Sequence, residues 1–276
     1  MNSPNKILII LSSVLVIGLA VASYFGAFDA DTYIRETPSL AVQGVAQDLV
    51  NLFLVVPLLI LSLYFSAKGN RFAFFILGGT VLYVLYSYFI YTFGIHFNKL
   101  FLVYCLTLGT AFYAFILIVL DLARMQFPVK STEQLPLRFM GVFLLIVAFM
   151  FYSLWLKEIV PAILQDTLPP SVSDYNLLVN PVHVLDTAIL LPALIVTAIL
   201  LFKKKPFGLI LAPMLLVFII ILAIALVAMV IMLKIKGLEE DISAGVIFIA
   251  LAFISFIFLL FFQRAVKMNT EGPFKE

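Results

Sequence analysis

One cysteine, two histidines and one tryptophan occur in 276 residues, and only 12% of the side chains carry a charge. Each scarcity removes a class of protein. The single thiol, Cys105, leaves no internal disulfide and no thiolate metal cluster within one chain. His96 and His183 fall short of the paired axial ligands that hold haem between helices. Lysine is missing from the middle of every long apolar run, which removes a Schiff-base site of the retinal kind. P-loop, HExxH, GxSxG and Gly-rich dinucleotide fingerprints are absent, and no basic patch with a reader fold behind it points to nucleic acid. No catalytic motif, metal-ligand spacing or cofactor signature is legible, so the reading leans away from an enzyme and leaves any cofactor unassigned.

Apolar residues make up 64% of the chain, far above the near-half share of soluble domains. A helix needs about 20 mostly apolar residues to cross the hydrocarbon. The sequence supplies eight such runs, at residues 7–27, 48–67, 72–93, 100–120, 138–156, 183–202, 207–232 and 243–263. The expected fold is an all-α integral membrane protein of eight transmembrane helices embedded in a lipid bilayer. A closed barrel, the other way to satisfy backbone polar groups in lipid, shows short alternating segments instead. The first run follows Lys6 but exceeds the 7–15 residues of a signal-peptide core, and SYFGAFDAD is a poor cleavage site, so it reads as a retained helix.

Basic residues near span ends stay on the cytoplasmic side. With the N-terminus inside, twelve of the 17 Lys and Arg fall on inner segments, among them Lys68, Arg71, Arg124, Arg138, Lys203, Lys204 and Lys205. The acids gather on the outer side. This orientation places both termini in the cytoplasm of a cell-membrane protein.

An ungapped offset of 135 residues lays Asp48–Phe72 over His183–Phe207. Asp48 falls on His183, Asn51 on Asp186, Pro57 on Pro192 and Lys68 on Lys203. The expectation is two parallel four-helix repeats, at 1–122 and 138–265, joined by a cytoplasmic linker at 123–137 and followed by a tail at 266–276. Parallel repeats in transporters hold their site between the halves.

Within each polar pair the residues lie three apart, so they share a helix face. Six residues beyond Asn51 and Asp186 come Pro57 and Pro192, which cannot donate to the carbonyls of Phe53 and Ala188. Asp48, Asn51, His183 and Asp186 are therefore the candidate ligands for a cation, a proton or a small solute in the outer half of the membrane, since ionisable groups inside a bilayer are functional candidates. A plainer reading stands beside it: Asn180 caps a helix, Pro181 fills its first turn, and Asp186 sits solvated near the positive end of the dipole. Tyr83, Ser87 and Tyr91 share a face of the third span, where they would line a polar cavity, although tyrosine at that depth is most simply an interfacial belt. Gly78–Gly79, Gly109–Thr110–Ala111 and Ala225 with Ala228 read as packing patches.

Transport or binding of a small solute or ion is the leading functional expectation. The alternatives are a membrane-embedded enzyme acting on a lipid or quinone headgroup, with His183 and Asp186 as its acid–base pair, and a non-catalytic subunit of a membrane complex. An enzyme of that kind is expected to open sideways toward lipid beside these residues. Substrate, coupling ion and oligomeric state are not encoded in any feature of the chain.

Overall fold

The computed structural model describes residues 5–124, 135–238 and 241–268. Most of the expected linker at 123–137 and of the tail at 266–276 lies outside them. The described residues are helical with no strand, and eight helices are long and apolar enough to span a membrane. These are α1 (Lys6–Phe28), α2 (Pro38–Ala67), α3 (Arg71–Gly94), α4 (Phe101–Ala123), α5 (Leu137–Leu164), α6 (Pro181–Phe202), α7 (Pro206–Ile235) and α8 (Ser243–Met268). A single helical turn, Pro170–Ser173, sits between α5 and α6.

Two helices outrun their apolar cores. Helix α2 begins ten residues before the expected 48, because the Thr37 hydroxyl accepts the Leu40 N–H and Pro38 fills the first turn. Helix α5 continues past residue 156 to Leu164, carrying Lys157 and Glu158 on a helical extension just beyond Trp155. Helix α6 starts as the sequence implies, with Asn180 Oδ1 accepting the Val182 N–H at 2.9 Å and Pro181 in the first turn.

Both α2 and α6 widen into a five-residue π turn, at Asn51–Val55 and Asp186–Leu190. The Val56 N–H reaches back to the Asn51 carbonyl, and the Leu191 N–H to that of Asp186. Pro57 and Pro192 follow at once. A proline offers no N–H and presses its ring on the carbonyl four residues back, a crowding that a wide turn relieves. The disturbance expected at Phe53 and Ala188 thus takes the form of a π turn. The two helices also end alike. Gly69 and Lys204 adopt positive φ (85° and 51°), the Asn70 N–H bonds the Phe65 carbonyl, and the Lys205 N–H bonds that of Leu200. Each of these correspondences has a spacing of 135 residues.

Helix α3 is the centre of the bundle, with 72% of its apolar stretch buried. It packs against α2, α4 and α7 and touches the start of α6. At the α3–α7 crossing a Cβ on Gly79 would lie 2.5 Å from the Met214 carbonyl oxygen, so only glycine permits this approach. A turn further along, the rings of Tyr83 and Phe218 stand 6.5 Å apart. Gly109, read as a packing patch, instead faces open space. Helix α1 lies along α4, whereas α5 and α8 are not closely packed and meet at Phe143 and Phe258, ring centroids 5.6 Å apart.

The loops beside the polar pairs are tied down. Arg35 Nη1 donates to the Phe97 carbonyl at 2.6 Å, Glu36 accepts the His96 N–H at 2.8 Å and pairs with its Nδ1 at 2.9 Å, and Lys99 pairs with Asp29. These contacts join loop 29–37 to loop 95–100. Gln43 Nε2 donates to Tyr175 Oη at 3.3 Å, linking the start of α2 to the α5–α6 segment.

Candidate functional site

The first polar cluster is assembled at the start of the α2 π turn. Asp48, in the last α-helical turn before it, is wholly buried, as is Asn51 at its start. The Tyr33 hydroxyl descends from loop 29–37 and donates to Asp48 Oδ2. Burial, reinforced by Tyr91 and Asp48 nearby, raises the Tyr33 pKa well above the ordinary phenol value, so it stays a donor. Two glycines make room for this contact. A Cβ on Gly26 of α1 would strike the Asp48 carboxyl, and one on Gly44 would lie 2.9 Å from the Tyr33 ring.

Around the carboxyl stand Ser23 of α1, Asn51 and Tyr91. Tyr83 Oη donates to Asn51 Oδ1 at 3.2 Å, and Tyr91 Oη to the Gly44 carbonyl at 3.4 Å. Five buried polar atoms here, Asp48 Oδ1, Asn51 Nδ2, Ser23 Oγ, Ser87 Oγ and Tyr88 Oη, form no hydrogen bond of full geometry, although Ser23 and Asn51 stand beside the Asp48 carboxyl, Ser87 beside Tyr83 and Tyr88 beside Ser23. Native interiors leave few such atoms, and each calls for an explanation. No lysine, arginine or histidine pairs with Asp48 among the described residues.

The second cluster forms at the α6 π turn. Asp186, 3% exposed, accepts Tyr86 Oη on Oδ1 at 2.8 Å and Trp155 Nε1 on Oδ2 at 2.7 Å. Tyr152 donates to the Thr187 carbonyl at 3.0 Å, and Thr187 Oγ1 to that of His183 at 2.6 Å. The His183 ring stacks obliquely on Trp155 at 4.8 Å. Its Nε2 lies 3.3 Å from Ser171 Oγ and 3.7 Å from Glu158 Oε2, while Glu158 Oε1 accepts the Ser171 N–H at 2.6 Å.

Beside Asp186 is a small cavity of about 30 Å³ bounded by α5, α6, α7 and α8. Val147, Phe151, Phe218, Leu222, Phe248 and Leu251 give it apolar walls, and Asp186 is its one charged group. His183 does not line it.

The seven residues singled out from sequence therefore fall into two groups. Asp48, Asn51, Tyr83, Ser87 and Tyr91 converge on one buried cluster, and His183 and Asp186 on another. Two plainer readings do not fit. Tyr83, Tyr86, Tyr88 and Tyr91 are buried inside the bundle, not arrayed as a surface belt, and Asp186 is buried rather than solvated, although α6 does start with the expected cap. Sequence reasoning missed Tyr33, Trp155, Glu158 and Ser171. Trp155 was signalled only by being the sole tryptophan, and Tyr33 by nothing in its loop. Comparison with protein-family models, curated proteins and solved structures found no match.

Proposed function

We propose that the chain binds or carries a proton, a small cation or a small cationic solute at two buried carboxylates, one in each of two parallel four-helix repeats. The observation that carries the reading is Asp48: a carboxyl with no exposed surface, one oxygen without a hydrogen bond of full geometry, and only neutral groups around it. Removing an unpaired carboxylate from water costs several kcal/mol even after relaxation. A proton or a bound cation removes that cost. The oxygens of Asp48, Ser23 and Ser87 that lack a hydrogen bond of full geometry are hard donors, suited to a proton or an oxygen-coordinated ion.

The repeat reading is supported by the matched π turns, by the matched left-handed helix ends and by two contacts between residues 135 apart, Gly79 with Met214 and Tyr83 with Phe218. Residues related by a two-fold axis meet their own counterparts near that axis. The charge asymmetry favours cytoplasmic termini, with the clusters toward the outer face. An acid–base enzyme is less well supported, because His183 stands outside the cavity that Asp186 heads.

The test is thermal unfolding of the detergent-purified chain in sodium, potassium or choline chloride across a pH series, beside Asp48→Asn and Asp186→Asn. A ligand bound only by the folded state raises the midpoint, by about 2.7 kcal/mol at a hundredfold excess over Kd. Parent and both variants responding alike to every condition would sink the proposal.

A further inference from the structure

A second cavity, of about 420 Å³, lies between the end of α3, the start of α6 and the segment 176–179. Phe89 and Phe93 line it from α3, their rings stacked with centroids 5.0 Å apart, and Val184 and Leu185 line it from α6. It runs from loop level to Phe89, about 7 Å below the end of α3 at 1.5 Å per helical residue. At its edge a Cβ on Gly94 would lie 2.6 Å from Pro181, so the two helices hold each other there. Phe93, Leu178 and Val184 line the cavity and are also exposed, which makes its mouth apolar. Neither Asp48 nor Asp186 belongs to it.

His96 is the one ionisable side chain in its lining. Glu36 grips this residue twice, through the backbone N–H at 2.8 Å and through Nδ1 at 2.9 Å. An ionised carboxylate only accepts, so in this pair Nδ1 carries the proton and Nε2 of the neutral ring is left as an acceptor. Among the described residues Nε2 has no hydrogen-bond partner, and with Nδ1 committed it is the ring atom left for a ligand. The Glu36 side chain is 1% exposed and both its oxygens are engaged, so no carboxylate is open to a cation. No lysine or arginine lines the cavity to meet an anion, and three metal-ligating side chains gather nowhere among the described residues.

We propose that this cavity binds a substituted phenol, its hydroxyl donating to His96 Nε2 and its ring and apolar substituent lying between α3 and α6. The stacked faces of Phe89 and Phe93 suit an aromatic ring. Asn176, also in the lining, carries an amide that can donate to the phenol oxygen. The volume lies within the roughly 300–1,000 Å³ of small-molecule sites, which join apolar walls to a few polar groups in this way. The site is independent of the two buried carboxylates and stands or falls apart from the function proposed for them.

The chain has only two histidines, so each imidazole can be followed by nitrogen resonance in the detergent-purified protein carrying isotope-labelled histidine, with His96→Gln identifying its signals. The probes are para-butylphenol and its methyl ether, para-butylanisole, which share a body and differ by one O–H donor. The phenol is expected to move the His96 Nε2 resonance saturably, with half-saturation about five- to tenfold below that of the anisole, the worth of about one hydrogen bond. Glu36→Gln, whose amide can donate to Nδ1 and so move the ring proton to Nε2, should remove the preference for the phenol. Val184→Trp fills the cavity from its exposed side and should abolish the response, which keeps the test decisive should the Glu36 variant fold poorly. Equal half-saturation by phenol and anisole in the parent, no movement of the His96 signal, or an unchanged response in Val184→Trp overturns the inference.

Discussion

Asn51 and Asp186, 135 residues apart, each open a π turn, and each accepts a hydrogen bond from a tyrosine of the same central helix, Tyr83 at 3.2 Å and Tyr86 at 2.8 Å. One helix thus positions the polar side chains of both halves, and Phe218 of α7 packs against both rings.

The two tyrosines should not be equally important. Tyr86 bonds a carboxyl and Tyr83 an amide, so Tyr86→Phe is expected to cost about 1.5–3 kcal/mol and Tyr83→Phe about 1 kcal/mol. Denaturant or thermal unfolding of the two single variants checks the order. The opposite order would mean that Asp186 does not depend on Tyr86 in the folded chain.

Gly26 and Gly109 make a matched pair of tests. A methyl at Gly26 runs into Asp48 and comes within 2.8 Å of Tyr33 Oη, whereas Gly109 has nothing within 4 Å. Gly26→Ala should therefore destabilise by about 1–3 kcal/mol through overpacking. Gly109→Ala, in the interior of α4, should be neutral or stabilise by up to about 1 kcal/mol. Similar midpoints for the two variants would show that α1 does not close on Asp48.

The helix ends after α2 and α6 differ in one respect, glycine at 69 and lysine at 204 in the same left-handed conformation. That conformation costs a residue with a Cβ roughly 1–2 kcal/mol. Gly69→Ala should lower stability by about 1 kcal/mol, and Lys204→Gly should raise it by less, since glycine also adds freedom to the unfolded chain. Stabilisation by Gly69→Ala would contradict the assigned backbone.

Outside the spans, the Lys99 ammonium beside Asp29, with the Asp31 N–H, holds the Asp29 carboxyl below its ordinary range. A carboxyl with a depressed folded pKa contributes stability above its unfolded value, about 3.9, and loses it as the pH falls through the folded value. Lys99→Met should therefore reduce the acid-induced fall in midpoint below about pH 4, and the difference should shrink in high salt because the pair is exposed. A salt-independent difference would point to another group.

Most of the architecture was legible because a bilayer allows few solutions: each long apolar run became a helix. What the apolar runs hid was helix extending into polar sequence. PSLAVQGVAQ before Asp48 and LKEIVPAIL after Trp155 carry too many polar groups or breaks to read as spans, yet both continue as helix. Asp48, Asn51, His183 and Asp186 were visible as polar residues where lipid should begin. Their division into two clusters was not, since it depends on which tyrosine of α3 points to which side, and Tyr83 and Tyr86 are only about 60° apart around a helix of 3.6 residues per turn. Tyr33 was hidden because the stretch that separates it from Asp48, 15 positions on, carries no period that would predict their contact.

A π turn holds one residue more than the α-helix into which it is set. Asn51–Val55 and Asp186–Leu190 are therefore the two places in α2 and α6 where the chain can lose one residue and keep the flanking helical faces in phase. A deletion elsewhere in either helix turns everything beyond it by about 100°, carrying Asp48 or His183 away from its neighbours. In each of these helices the polar residues and Pro57 or Pro192 are thus joined by a spacer whose length the chain can edit by one residue without rotating what lies on either side.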